Sequence, residues 1–216
     1  MAPRLLLLVL ATLLSGADGA DEGRRGNQLY KAGNYTAAAE AYRAGIDQHE
    51  TGEGALYADL WNNLGAALHR DEAYAEAAQA FQTAADVAAT PRQRARALYN
   101  AGNNAVAQDQ LDAALGFYRR ALLADAGYDD ARFNYEYLKR EMDQRQEQRQ
   151  TPADRPDPSA FARRLKQRAD SLVTNRRYED AYRLMQNGLQ RDSTVTAFQS
   201  FITRLGEVTQ IDTMNR

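Results

Sequence analysis

Trp61-Asn62-Asn63-Leu64-Gly65, continued by Tyr74, Ala77, Phe81 and Ala84 and closed by Pro91, is the stretch that decides the fold. The same spacing of small and aromatic residues recurs on both sides of it. Gly26, Tyr35, Ala38, Tyr42 and Gly45 come before; Leu98, Gly102, Leu111, Ala114, Tyr118 and Ala121 come after. A weaker copy runs through Leu165, Ala169, Tyr178, Ala181, Met185 and Gly188. Gly26 to Gly65 is 39 residues and Gly65 to Gly102 is 37, whereas Gly102 to Ala169 is 67, close to two periods. Two antiparallel helices approach closely only where small side chains face each other, which sets Gly26, Gly65 and Gly102 against Ala38, Ala77 and Ala114. The aromatics fill the space between neighbouring pairs. A composition rich in Ala, Leu, Arg, Gln, Glu and Asp and poor in β-branched residues favours helix throughout. Turns fall where the pattern needs them: Gly33-Asn34 inside the first unit, His49 to Gly54 between units, and Thr90-Pro91 as N-cap and first helical residue of the third.

The Trp61 stretch, with its W-x₂-L-G start, resembles the tetratricopeptide repeat (TPR). The resemblance implies an all-α, TPR-type α-solenoid of antiparallel helix pairs with a C-terminal capping helix. A lone pair cannot bury its apolar face, so neighbours must stack. It also implies that the first helix of each pair lines a concave face, and that a protein or peptide partner binds there. On that frame the groove is lined by Asn27, Tyr30 and Lys31, then by Asn62, His69 and Arg70, then by Arg96, Tyr99 and Asn103. Such Asn and Arg side chains suit a peptide backbone or carboxylate, and Tyr adds a semi-apolar contact. Asn27, Asn63 and Arg96 stand where carboxylate-clamp members of the family hold a C-terminal carboxylate. The first clamp lysine is here Gly23, and Asn100 stands where the clamp has a basic residue.

The domain organisation follows. Residues 1–19 read as a signal peptide: Arg4, an apolar run from Leu5 to Leu14, and small residues that allow cleavage after Ala17 or Gly19. Residues 20–127 hold three repeats, and 128–151 one long charged helix whose second half, polar all round, is expected to project into solvent. Residues 152–158 form a Pro-rich linker. Residues 159–216 carry a fourth helix pair and a capping helix from about Thr194 to Val208, with Ser193 as N-cap and Phe198, Phe201, Ile202 and Leu205 facing inward. The mature chain is expected to be exported, most readily to a bacterial periplasm, with no membrane span after cleavage.

Charge and chemistry narrow the function. The formal net charge of -2 gives no global field for nucleic acid. Residues 21–138 carry 17 acids and 11 bases, and 139–168 carry 9 bases and 5 acids. There is no cysteine, hence no disulfide, thiolate or Cys-ligated zinc. His49 and His69, the only histidines, lie in no metal or triad spacing, and no strand precedes a Gly-rich phosphate loop. No catalytic residue, metal or cofactor is expected. The signal segment, the tight repeats, and Asp129-Asp130-Ala131-Arg132-Phe133-Asn134-Tyr135-Glu136 before a Gln-rich helix resemble the exported TPR proteins of bacterial aerotolerance (Bat) operons. That resemblance implies work beside membrane proteins with von Willebrand A domains. The alternative is an accessory or enzymatic subunit in cell-envelope processing.

Overall fold

The computed structural model describes residues 19–149 and 156–214, with backbone alone over 146–149. The residues before Gly19, which hold most of the expected signal peptide, and residues 150–155 of the expected linker lie outside it. The order is α1 (Ala20–Lys31), α2 (Tyr35–Asp47), α3 (Ala55–Arg70), α4 (Tyr74–Asp86), α5 (Pro91–Ala107), α6 (Leu111–Ala124), α7 (Asp129–Arg149), α8 (Ala160–Thr174) and α9 (Tyr178–Leu189). A 3-10 helix (Ser193–Phe198) and α10 (Gln199–Met214) close the described chain. No strand occurs among the described residues.

The pairs α1–α2, α3–α4, α5–α6 and α8–α9 share one turn. Each first helix ends in a left-handed residue: Gly33, Glu72, Asp109 and Arg176, with φ of 80°, 62°, 57° and 56°. The next amide then donates to the carbonyl five residues back, as Asn34 to Leu29, Ala73 to Leu68, Gln110 to Ala105 and Arg177 to Leu172, at 2.9–3.0 Å. This closure satisfies helix-end carbonyls and reverses the chain. At the start of α5, Thr90 accepts from the Gln93 amide and Pro91 opens the helix, as the sequence predicts.

Within each pair a glycine meets a ring. A Cβ on Gly26 would lie 2.5 Å from Tyr42, one on Gly65 2.7 Å from Phe81, and one on Gly102 2.5 Å from Tyr118. In α8–α9 the small residue is Ala169 and the residue in the ring's place is Met185, whose unbranched chain adapts to the extra methyl. The rings carry a second device. Tyr42 donates to Asn27 Oδ1 and Tyr118 to Asn103 Oδ1, each at 2.8 Å. Phe81, which has no hydroxyl, faces a repeat with Ala66 at the equivalent site. Burial pushes the Tyr42 and Tyr118 hydroxyls up to about 12. Their neutral forms therefore contribute stability that is complete below pH 10, the unfolded value, and is lost as pH rises towards 12. We expect the unfolding free energy from urea titration to hold from pH 8 to about 10 and then to fall, by roughly 2–3 kcal/mol per tyrosine. Tyrosinate absorbance of the folded chain near 10 for both residues would contradict this.

The end of the molecule departs from the expected arrangement. As far as Asp143, α7 does not stand free in solvent: Asp143 is buried and accepts from Arg204 of α10 at 2.7 Å. Along the same α7 face Arg132 pairs with Asp212 at 2.8 Å, Tyr135 donates to Glu207 at 3.2 Å, and Lys139 lies 3.4 Å from Glu207. Positions rising along α7 meet positions falling along α10, so the two run antiparallel. The backbone of the C-terminal helix packs on α9, and only its long side chains reach across to α7, with the α8–α9 hairpin between the two in sequence. The charges of α7, read as solvated, are half of an ionic seam. The capping segment also begins otherwise than expected: Asp192, not Ser193, is the N-cap, accepting from the Thr194 amide at 2.8 Å. A 3-10 turn precedes α10, which runs on to Met214. Phe201, Ile202 and Leu205 are buried and Phe198 is half-buried.

Candidate functional site: the inner face of the solenoid

The inner face is built from the first helices of the pairs, α1, α3 and α5, and continues onto α7. It is a hydrogen-bonded surface. Asn63 donates to Asn27 at 3.4 Å, Asn62 to Asn63 at 3.3 Å, and Asn100 to Asn62 at 2.9 Å. These amides join α1, α3 and α5. From α5 the contacts pass to α7, where Asn134 donates to Asn103 at 3.0 Å. Arg96 pairs with Asp59, which also accepts from Gln93 at 2.8 Å. Asn104 uses its amide nitrogen on the Tyr74 carbonyl at 2.9 Å. Its oxygen therefore faces His69 Nδ1, 3.0 Å away, and that nitrogen carries the proton.

The nine residues expected to line the groove fall into three groups. Asn27, Lys31 and Arg70 are exposed, and Arg70 also donates to Tyr35 at 2.9 Å across the first two repeats. Tyr30, His69, Arg96, Tyr99 and Asn103 are half-buried. Tyr99 stacks between Tyr118 and Tyr128, with centroids at 5.9 and 5.4 Å. Asn62 is a correction: it is 5 % exposed, because its side chain turns between α3 and α5 to bond Asn63 and Asn100. Its side chain joins α3 to α5. Trp61 packs against the apolar clusters on both sides of it, as a spacer between repeats.

Two residues that the sequence reading left out stand on this face. Phe133 and Tyr137 of α7 are exposed and stacked, centroids 6.3 Å apart at 12° between planes. Carrying the roughly 34-residue TPR period on from Gly102 would have placed them at groove positions, equivalent to Tyr99 and Asn103. Reading α7 only as a cap on the third repeat hid them. A second concavity, between α7, α8 and α10, has a volume of about 1000 Å³. Two ion pairs lie within it, Arg204 with Asp143 and Lys166 with Asp170, at 2.7 and 2.6 Å, and Arg140 lines its edge. Among the described residues no group of three or more His, Cys, Asp or Glu is placed to hold a metal ion. No described helix is long and apolar enough to cross a membrane.

The comparisons agree with this architecture. The tetratricopeptide repeat family pattern matches residues 24–94. No curated protein matches the chain. Among solved structures, the TPR2AB domain of yeast Sti1, in a complex with pHSP90, is similar with a TM-score of 0.55 at 16 % identity, over 93 % of this chain and 77 % of that one. The first TPR of Spaghetti (RPAP3), bound to the HSP90 peptide SRMEEVD, gives 0.50 at 20 % identity, over 59 % and 94 %. The N-terminal domain of stress-induced protein-1 from C. elegans gives 0.50 at 22 %, over 58 % and 98 %. Repeat pattern, shared turns and structural likeness agree: the chain is an all-α, TPR-type solenoid with the tetratricopeptide repeat pattern over residues 24–94.

Proposed function

We propose that this protein is a non-catalytic adaptor that holds a protein or peptide on the inner face of its solenoid. The observation that carries the reading is that face itself: four first helices locked in register by side-chain amides, with Asn27, Lys31, Arg70, Phe133 and Tyr137 left open on it. A pre-ordered surface of this kind binds without first ordering its own side chains. Similar solenoids hold peptides, as the Spaghetti (RPAP3) domain holds SRMEEVD. The finer reading is an exported component of an aerotolerance operon, in the periplasm, with von Willebrand A domain membrane proteins as partners. Residues 1–17 and the segment from Asp129 to Glu136 support it. Gly19 supports cleavage after Ala17 over Gly19, because it packs on the Gly45 backbone with no room for a Cβ.

Peptide selection on the immobilised protein tests the adaptor reading. Selected peptides are expected to bind Lys31→Glu/Arg70→Glu at least tenfold more weakly and the outer-face variant Arg43→Glu unchanged. The opposite order overturns the inner face as the site. Mass spectrometry of the chain from envelope fractions, with whatever co-purifies, checks the finer reading. An intact N-terminus, or no von Willebrand A protein among the partners, contradicts it.

A further inference from the structure

We infer that the partner segment is anchored on this face by an uncharged apolar side chain seated against Phe133 and Tyr137, and not by an acidic C-terminus. The inference rests on the inner face being the binding surface. Among the described residues four large apolar side chains are left exposed: Val106 at 41 %, Phe133 at 69 %, Tyr137 at 54 % and Met214 at 61 %. Met214 ends the last helix; Val106 is on α5 and the other two are on α7, helices joined by the Asn134–Asn103 bond of the inner face. The Asn134–Asn103 hydrogen bond sets the register of α7 against α5. Val106 lies three residues beyond Asn103 and Tyr137 three beyond Asn134, so the two occupy the same level of the groove. An exposed, stacked aromatic pair in an otherwise polar surface is the kind of feature that marks an interaction site.

Charge decides the occupant. A carboxylate end held as in a clamp needs a cation at the clamp positions. Arg96, in the position suited to that, is spent on Asp59, and the first clamp position is Gly23. The exposed Lys31 and Arg70 stand elsewhere, at the ends of α1 and α3, away from the α7 pair. The aromatic pair is instead bracketed on its own helix face by one charge of each sign, Asp130 a turn before Phe133 and Arg140 a turn after Tyr137. The complementary segment has an aliphatic or aromatic anchor, with a basic group towards Asp130 and an acidic one towards Arg140.

Fluorescence anisotropy with three labelled probes tests this: the amidated peptide Gly-Ser-Lys-Leu-Phe-Leu-Glu-Ser-Gly, the same peptide with Asp in place of Leu-Phe-Leu, and SRMEEVD. The apolar probe is expected to bind best, and Phe133→Ser/Tyr137→Ser to weaken it at least tenfold with an unchanged melting temperature, as both side chains are exposed. Phe133→Leu should retain it. Preference for SRMEEVD, binding unchanged in the double variant, or no binding of the apolar probe overturns the anchor. If Lys31→Glu/Arg70→Glu weakens a selected peptide while Phe133→Ser/Tyr137→Ser does not, the adaptor reading stands and this anchor falls. A dimer seen by sedimentation that the double variant dissolves would assign the patch to a second copy of the chain, and would overturn it as well.

Discussion

Tyr118→Ala is expected to lower the unfolding free energy by about 4 kcal/mol, the range for emptying a buried aromatic site. Its ring is 2 % exposed, fills the space opposite Gly102, and touches Tyr99. Its hydroxyl donates to Asn103, which also accepts from Asn134, so the lesion reaches from the α5–α6 pair to α7. Tyr118→Phe keeps the ring and removes one hydrogen bond, with an expected loss of about 1 kcal/mol. The Ala variant should melt some ten degrees lower, from about 2–4 °C per kcal/mol for a chain of this size. Denaturant titration of both variants checks the pair. An Ala variant within 1 kcal/mol of the Phe variant would show that the ring is not the spacer between these helices.

The second large effect lies in the seam between α7 and α10. Arg204 and Asp143 are largely buried, with side chains 15 % and 12 % exposed. Burial pushes the Asp143 carboxyl up and the Arg204 guanidinium down, and in each case outweighs the partner's attraction. Taking both charges out of water is thus nearly offset by bringing them together. Removing one leaves the other stranded. Arg204→Ala or Asp143→Ala alone is expected to cost about 3–5 kcal/mol, whereas Arg204→Met/Asp143→Leu together should fall within about 1 kcal/mol of the parent chain. Because the folded Asp143 titrates above its unfolded value, its contribution is complete below that value and declines as pH rises through the folded one. Acid does not release this contact through Asp143. A double-mutant cycle, read with protease cutting between residues 144 and 158, measures the coupling. Single variants as stable as the double would contradict a buried, coupled pair.

The repeats were legible because their constraints are local. Small residues must recur at a fixed spacing, a turn must close at a fixed distance, and Thr90-Pro91 must start a helix; that each glycine meets a ring of its own pair, where the spacing set it against an alanine, came from the structure. Even the hydroxyl pairing can be read, since tyrosine at the ring position occurs with asparagine fifteen residues earlier and phenylalanine occurs with Ala66. The seam was not legible. Arg132, Lys139 and Asp143 look like an exposed helix face until α10 arrives from more than sixty residues away, and no local pattern reports a contact at that distance. The groove lay between these cases. Repeat position names the residues that face inward, but it cannot tell Asn62, buried in the asparagine chain, from Asn27, which joins the same chain and stays exposed. Phe133 and Tyr137 follow from the repeat frame once α7 is counted as a first helix.

The central claim is that the inner face binds a polypeptide. Amide chemical-shift mapping of the ¹⁵N-labelled protein, titrated with a peptide selected on the wild type, tests it most directly. The account predicts shifts at Asn27, Lys31, Arg70 and Asn103 and on α7 around Phe133 and Tyr137, with Arg43, Glu76 and Arg120 on the second helices unmoved. Shifts confined to those second-helix positions, or to the concavity around Phe198 and Lys166, would contradict it.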